Sequence, residues 1–183
     1  GTTEEDDVWK FAILRITQDG TLDNTFNNTG KLTVNMQNNS NGYTQANDAA
    51  LQTDGKILVC GYSDVGGEDD DWAILRLNPD GTLDNTFDGD GRLIFGIINN
   101  TSEDEAMAMI YDTISHKITV AGDAHTKMGL VRLNPNGTLD NTFGNNGKVT
   151  AGIPNYSPKT RGLIQNNESI WVCGPAWYGL ANS

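Results

Sequence analysis

The chain of 183 residues predicts an all-β fold: a β-propeller segment of three four-stranded blades followed by the first strand of a fourth. Three observations carry that expectation. The heptapeptide Gly20-Thr21-Leu22-Asp23-Asn24-Thr25-Phe26 recurs without substitution from Gly81 to Phe87 and from Gly137 to Phe143. Phe26 and Phe87 stand 61 residues apart, Phe87 and Phe143 56 apart, and self-similarity at such a period marks a solenoid, propeller or array. Each period holds four short apolar runs with turn residues between them and no helical spacing. A β-solenoid is the competing architecture, but its shorter coils would repeat at a shorter interval.

The middle unit shows how each element arises. Trp72-Ala73-Ile74-Leu75-Arg76-Leu77 is a buried first strand, stopped by Asn78-Pro79-Asp80-Gly81, where Pro presets one backbone angle and Gly supplies the positive one. The heptapeptide and a Gly-rich turn at Asp88 to Gly91 lead to a second strand at 92–95. A third follows at 105–110 and a fourth at 117–121. The first unit has strands near 11–16, 31–36, 48–53 and 56–60, the last two joined by the hairpin signal Asp54-Gly55. The third reads near 128–133, 147–151, 161–165 and 169–173. The units are thus 1–61, 62–122 and 123–174, and 175–183 opens a next blade. Closed propellers use four to eight blades. Three therefore imply further blades of a longer chain, which the start on Gly1-Thr2-Thr3 also suggests, or a second copy that closes the ring.

Net charge is −12, which disfavours nucleic acid, since phosphate binding needs clustered Lys and Arg. It suits a cationic or neutral partner. No apolar run is long enough to span a bilayer. Cys60 and Cys173 hold the same place as Ala121, in Ile-Leu-Val-Cys-Gly, Ile-Trp-Val-Cys-Gly and Ile-Thr-Val-Ala-Gly. This reads as a small buried core position, two units apart and outside disulfide reach.

The run Ala73-Ile74-Leu75-Arg76-Leu77-Asn78-Pro79-Asp80-Gly81-Thr82-Leu83-Asp84-Asn85-Thr86-Phe87, with Asp54-Gly55-Lys56-Ile57-Leu58-Val59-Cys60-Gly61, resembles the bacterial delta-60 repeat. The resemblance covers essentially the whole chain. It implies a propeller and an extracellular or cell-surface bacterial setting, and it carries no activity or catalytic residues. In the third unit Asn166-Asn167-Glu168 replaces the Asp-Gly-Lys hairpin.

The recurring Arg15, Arg76 and Arg132 end the first strands, and Asp23, Asp84 and Asp140 follow the turns. An Arg–carboxylate pair within each blade is the economical reading, and an Asp serving as a cation ligand the sharper one. Phe26, Phe87 and Phe143, with Leu22, Leu83 and Leu139, are expected to fill the gaps between blades. Asp88-Gly89-Asp90-Gly91 alternates carboxylate and glycine as calcium loops do, making Asp88 and Asp90 candidate Ca²⁺ ligands against a plain turn. The other units carry Asn27-Asn28-Thr29-Gly30 and Gly144-Asn145-Asn146-Gly147 there, and no other cofactor is implied.

Topology puts the loops leading into first strands and the loops between second and third strands at one end. Fourteen of the 24 acidic residues fall there. They include Glu4, Glu5, Asp6, Asp7, Glu68, Asp69, Asp70, Asp71, Glu103, Asp104 and Glu105, forming an acidic face that fades in the third unit. It is either solvated loop or a docking face for Ca²⁺ or a cationic partner. His116 and His125 lack spaced metal-ligand partners, and no Gly-x-Ser-x-Gly elbow or phosphate loop occurs. Trp9, Tyr43, Tyr156, Trp177 and Tyr178 are aromatics that could pack between blades or stack on sugars. The sequence thus reads as a non-catalytic secreted or surface binding and scaffold module with a protein or carbohydrate ligand. The alternatives are a structural subunit of a surface assembly, with strand pairing at 177–180, and an enzyme whose site lies on the central channel of the complete ring.

Overall fold

A computed structural model describes residues 1–5, 8–37, 43–64, 70–98 and 104–178, and these are all-β. Strands β1 (Thr2–Glu5), β2 (Val8–Leu14) and β3 (Lys31–Val34) form a three-stranded sheet. A four-stranded sheet follows, ordered β4 (Thr44–Leu51), β5 (Ile57–Asp64), β6 (Asp70–Leu77) and β7 (Arg92–Phe95). A second has β8 (Asp104–Tyr111), β9 (Ile118–Ala124), β10 (Lys127–Leu133) and β11 (Lys148–Ala151) in the same order. The chain continues through β12 (Tyr156–Pro158), β13 (Gly162–Gln165), β14 (Ile170–Cys173) and β15 (Ala176–Tyr178). All pairings are antiparallel, as in propeller blades.

The sheets and the sequence repeats are out of step by two strands. Each complete sheet joins the third and fourth strands of one repeat to the first and second strands of the next. The reason is chain geometry: the fourth strand turns straight back into the following first strand, so those two pair over their length, from Ile57↔Leu77 to Asp64↔Asp70. The link from second to third strand crosses instead to the neighbouring sheet. The boundaries 1–61, 62–122 and 123–174 therefore cut through sheets. Ala176–Tyr178, assigned from the sequence to the start of a further blade, pairs with Tyr156–Pro158. It thereby extends the hairpin that β13 and β14 form lower down.

The central sheet is buried on both faces, and period-two alternation sorts its residues. Phe11, Phe26, Val34 and Met36 pack with Val59, Ala73, Leu75 and Leu77 on one face. Leu58, Cys60, Trp72, Ile74 and Phe87 pack with Ala106, Met109, Ile118, Val120 and Val131 on the other. Cys60 is buried and Cys173 is exposed, so the shared core environment expected of them holds only for Cys60. Among the described residues, β14 pairs on one side only, with β13, whereas β5 lies between two strands.

The inner strands each carry a bulge, with register shifts between Ala46 and Asp48 and between Ala106 and Ala108. Opposite the first lies Gly61, where a Cβ would come within 1.8 Å of the Gln45 carbonyl oxygen. The obstacle is backbone, so no side chain can swing away. Gly61→Ala is expected to cost about 1–3 kcal/mol in urea unfolding; an unchanged midpoint would show that the bulge can open freely.

Candidate functional site

The repeated polar residues assemble at the lower end of the sheets, the end that carries the β4–β5 turn and lies opposite the β5–β6 link. Arg76 Nε lies 2.7 Å from Asp84 Oδ2, both side chains buried. Thr86 donates to Asp84 Oδ1 from its amide (3.1 Å) and its hydroxyl (2.8 Å). Lys56 Nζ, from the preceding hairpin, sits 3.0 Å from Asp84 Oδ2. The third unit repeats the set, with Arg132 Nε 2.8 Å and Lys117 Nζ 3.4 Å from Asp140 Oδ2. In the first unit Arg15 Nε is 2.9 Å from Asp23 Oδ2, at a more open position. Burial opposes ionisation of Asp84 and Asp140, but the threonine hydroxyls and amides and the neighbouring cations outweigh it and hold both carboxyls far below the usual range.

Each arginine also covers its phenylalanine, 4.9, 4.8 and 4.5 Å from the ring centroids of Phe26, Phe87 and Phe143. Arg15 and Arg76 reach onward to the next unit, donating from Nη1 to the Pro79 and Pro135 carbonyls. The backbone follows the same path: Asn27 N donates to Asp80 O at 2.7 Å and Asp88 N to Asn136 O at 3.0 Å. Gly81, at φ 92°, rests against the Phe26 ring, where a Cβ would lie 3.0 Å from Cε2. The heptapeptide is therefore a latch between successive units. Lys56, Lys117 and the threonine hydroxyls, which complete the latch, were not singled out from the sequence. Lys56 and Lys117 do recur just before the fourth strands, which was the available signal.

The acidic residues at the opposite, upper end separate into two kinds. Asp6, Asp7, Glu68, Asp69 and Glu103 lie outside the described residues. Glu4, Glu5, Asp70, Asp71, Asp104 and Glu105 belong to strands rather than loops, because pairing continues into them: Asp64 faces Asp70 and Glu4 faces Trp9. Asp104 is buried and structural, accepting from the Ile97, Ile98 and His125 amides. Asp48 takes the Met109 amide and Asp123 the Thr160 amide, each crossing to the next sheet. Lys159 Nζ stands 3.1 Å from Asp123. Lys148, held on the Gly96 carbonyl at 2.6 Å, has its pKa lowered by burial, an effect opposed by Asp104 and Asp71.

A ring stack stands at the same end. Trp9 and Tyr43 have centroids 4.7 Å apart, Tyr43 and Tyr62 5.9 Å. The Tyr43 hydroxyl donates to Gln45 Oε1 at 3.2 Å, Gln45 Nε2 to Asn47 Oδ1 at 2.8 Å, and Asn47 Nδ2 to the Ala106 carbonyl at 2.9 Å. Burial pushes the Tyr62 hydroxyl up, and Glu105, Tyr43 and Asp70 push the same way. The fields of those two carboxylates thus reach the rings.

Asp88 and Asp90 sit in a turn that demands positive φ. Asp88 has φ 49°, Gly89 89° and Gly91 87°; Asn27, Asn28 and Gly30 have 48°, 59° and 73°; Gly144, Asn146 and Gly147 have 54°, 51° and 90°. Asn, Asp and Gly are the residues that tolerate this region, which accounts for the composition of all three turns. Asp90 accepts the Arg92 amide at 2.9 Å. Among the described residues, no group of three or more His, Cys, Asp or Glu is placed to hold a metal ion.

Four-stranded antiparallel sheets, offset repeats and a latch carried from unit to unit define a β-propeller repeat protein. Each of the three repeats matches the family model of a β-propeller domain of unknown function, DUF5122, over residues 1–26, 52–87 and 117–143. The two longer-bounded matches run from the hairpin before the fourth strand, through the first strand, to Phe87 and Phe143, which is the latch with the two middle strands of a sheet. No curated protein matches the chain. Among the described residues no helix is long and apolar enough to cross a membrane.

Proposed function

We propose that the chain is a non-catalytic binding and scaffold module of a secreted or cell-surface bacterial protein, and that it captures a cationic protein segment at the upper ends of its blades. The observation that carries this reading is the Trp9–Tyr43–Tyr62 stack at the end of the sheets where Asp70 and Glu105 also stand. Aromatic faces next to carboxylates suit an arginine or lysine side chain, which gains both a ring contact and a charge partner. The net charge of −12 would steer such a segment inward. The recurring Arg, Asp and Thr side chains at the lower end are used in joining units.

The test is binding of an oligo-arginine and an oligo-glutamate peptide by biolayer interferometry at several salt concentrations. The arginine peptide is expected to bind, to weaken as salt rises, and to lose about tenfold in affinity with Tyr43→Ala. Equal binding of the two peptides would refute the reading.

One observation favours a second reading, a subunit of a surface assembly. Ile164, Trp171, Trp177 and Tyr178 are exposed on β13, β14 and β15, strands that among the described residues pair on one side only. Apolar edges of this kind accept an added strand, so self-association through them would show as a concentration-dependent mass in light scattering.

A further inference from the structure

We propose that a cleft at the lower end, independent of the acidic face, binds a neutral saccharide. The cleft is open to solvent and measures about 500 Å³ where the turn joining β4 to β5 meets the turn joining β8 to β9 of the next sheet. Gln52, Thr53, Lys56, Tyr111, His116 and Asn136 line it. That volume lies in the range of small-ligand sites.

Gln52 provides the first argument. The residue is 7% exposed, and its backbone is fixed: its amide donates to the Lys56 carbonyl at 2.8 Å and its carbonyl accepts from Gly55 at 3.0 Å. Its side-chain Oε1 is buried and meets no donor among the described residues. A buried acceptor at the wall of a cleft is a place where water or a ligand hydroxyl can donate.

Charge balance provides the second. Lys56 lies 3.0 Å from Asp84 and 3.6 Å from Asp54, and Arg76 lies 2.7 Å from the same Asp84 carboxylate. The cations at the cleft already face carboxylates, so the site favours an uncharged ligand over an anion.

The third argument is the wall opposite. The Tyr111 and His116 rings lie 6.0 Å apart at 36°, with the tyrosine hydroxyl 2.5 Å from His116 Nδ1 and 3.4 Å from the Thr53 hydroxyl. Their turn is preorganised, because the Asp112 carboxylate accepts the Ile114 and Ser115 amides and the Ser115 hydroxyl. A pyranose matches this lining: its C–H face lies on a ring, one hydroxyl donates to Gln52 Oε1, and others accept from Lys56 and Tyr111.

The equivalent cleft one sheet on, about 540 Å³, has Asp112 in the place of Gln52 and Gln165, Asn166 and Asn167 in place of the Tyr–His wall. It is an internal control that lacks both features.

The test is backbone amide NMR of the 183-residue chain during titration with glucose, galactose, mannose and N-acetylglucosamine, and separately with inorganic phosphate. At least one sugar is expected to shift amides of residues 52–56 and 111–117, saturating in the millimolar range, with residues 165–167 unmoved. Gln52→Leu is expected to keep the fold and to weaken that sugar about tenfold. His116→Ala, at an exposed turn, reads the same contact should the leucine variant not fold. Silence with all four sugars, shifts with phosphate alone, or wild-type affinity in both variants would overturn the proposal. None of these outcomes bears on peptide binding at the upper end.

Discussion

Asp84→Ala is expected to destabilise the chain by about 3–5 kcal/mol, the cost of leaving a buried cation without its partner. Four groups lose their acceptor at once: the Arg76 guanidinium, the Lys56 ammonium, and the Thr86 amide and hydroxyl. Lys56 is partly exposed and keeps Asp54 at 3.6 Å, so it can turn toward water. Arg76 is buried and has no such escape. Its remaining contacts to the Pro135 carbonyl and the Thr86 hydroxyl cannot balance a full charge. The same substitution at Asp23 removes an equivalent pair at an open site and is expected to have a much smaller effect. Equilibrium urea unfolding of both variants checks the contrast, and equal losses would show that burial does not set the value of the pair. The pH dependence follows from the same carboxylates. The folded pKa values of Asp84 and Asp140 lie below the ordinary 3.8. Their contribution is therefore fully present above that value and is lost as the pH falls below about 4. Asp84→Ala should flatten the acid limb of the stability profile.

Trp72→Ala is the second large expected loss, about 3–5 kcal/mol. Trp72 is fully buried, the largest such side chain in the protein. Its ring crosses the gap between sheets: Cζ2 lies where side chains on Gly122 or Gly129 would begin, 2.7 and 3.3 Å from a Cβ built there. Its indole nitrogen donates to the Asp123 carbonyl at 3.0 Å. Truncation would open a cavity between two rigid sheets whose backbones cannot close in, and would orphan a buried carbonyl. Trp72→Phe, which keeps most of the volume and drops the hydrogen bond, is expected to lose less than half as much, about 1–2 kcal/mol. Urea unfolding followed by far-ultraviolet circular dichroism distinguishes the two. A tolerated alanine would mean that the sheets slide together, and the ring would then be filler rather than a key.

Both effects sit at positions only partly legible in the sequence. The verbatim heptapeptide with its repeated flank made Arg76, Asp84 and Phe87 visible as a set, since repetition points to a role that every unit must fill. Trp72 was visible only as the start of an apolar run, because its counterparts Phe11 and Met128 are different residues and no repeat flags the position. Gln52 had no signal at all: its significance lies in the missing partner for one oxygen, a property of the folded surroundings.

The all-β class, the three-fold repetition, the location of twelve strands to within a few residues and the turns that bound them are legible in the order of residues alone. Those properties are local: alternation, turn chemistry and positive-φ residues act over a few neighbours in the chain. Tertiary structure decided which strands share a sheet, moving the boundary by two strands, because pairing follows chain reversal rather than repeat boundaries. It also decided which acidic residues are spent inside. Asp48, Asp104 and Asp123 resemble their neighbours in sequence, yet they cap amides that only the packed sheets bring to them. The latch shows both levels at once: its residues are written in each unit, but its partner, a proline carbonyl some sixty residues on, exists only when two units are stacked.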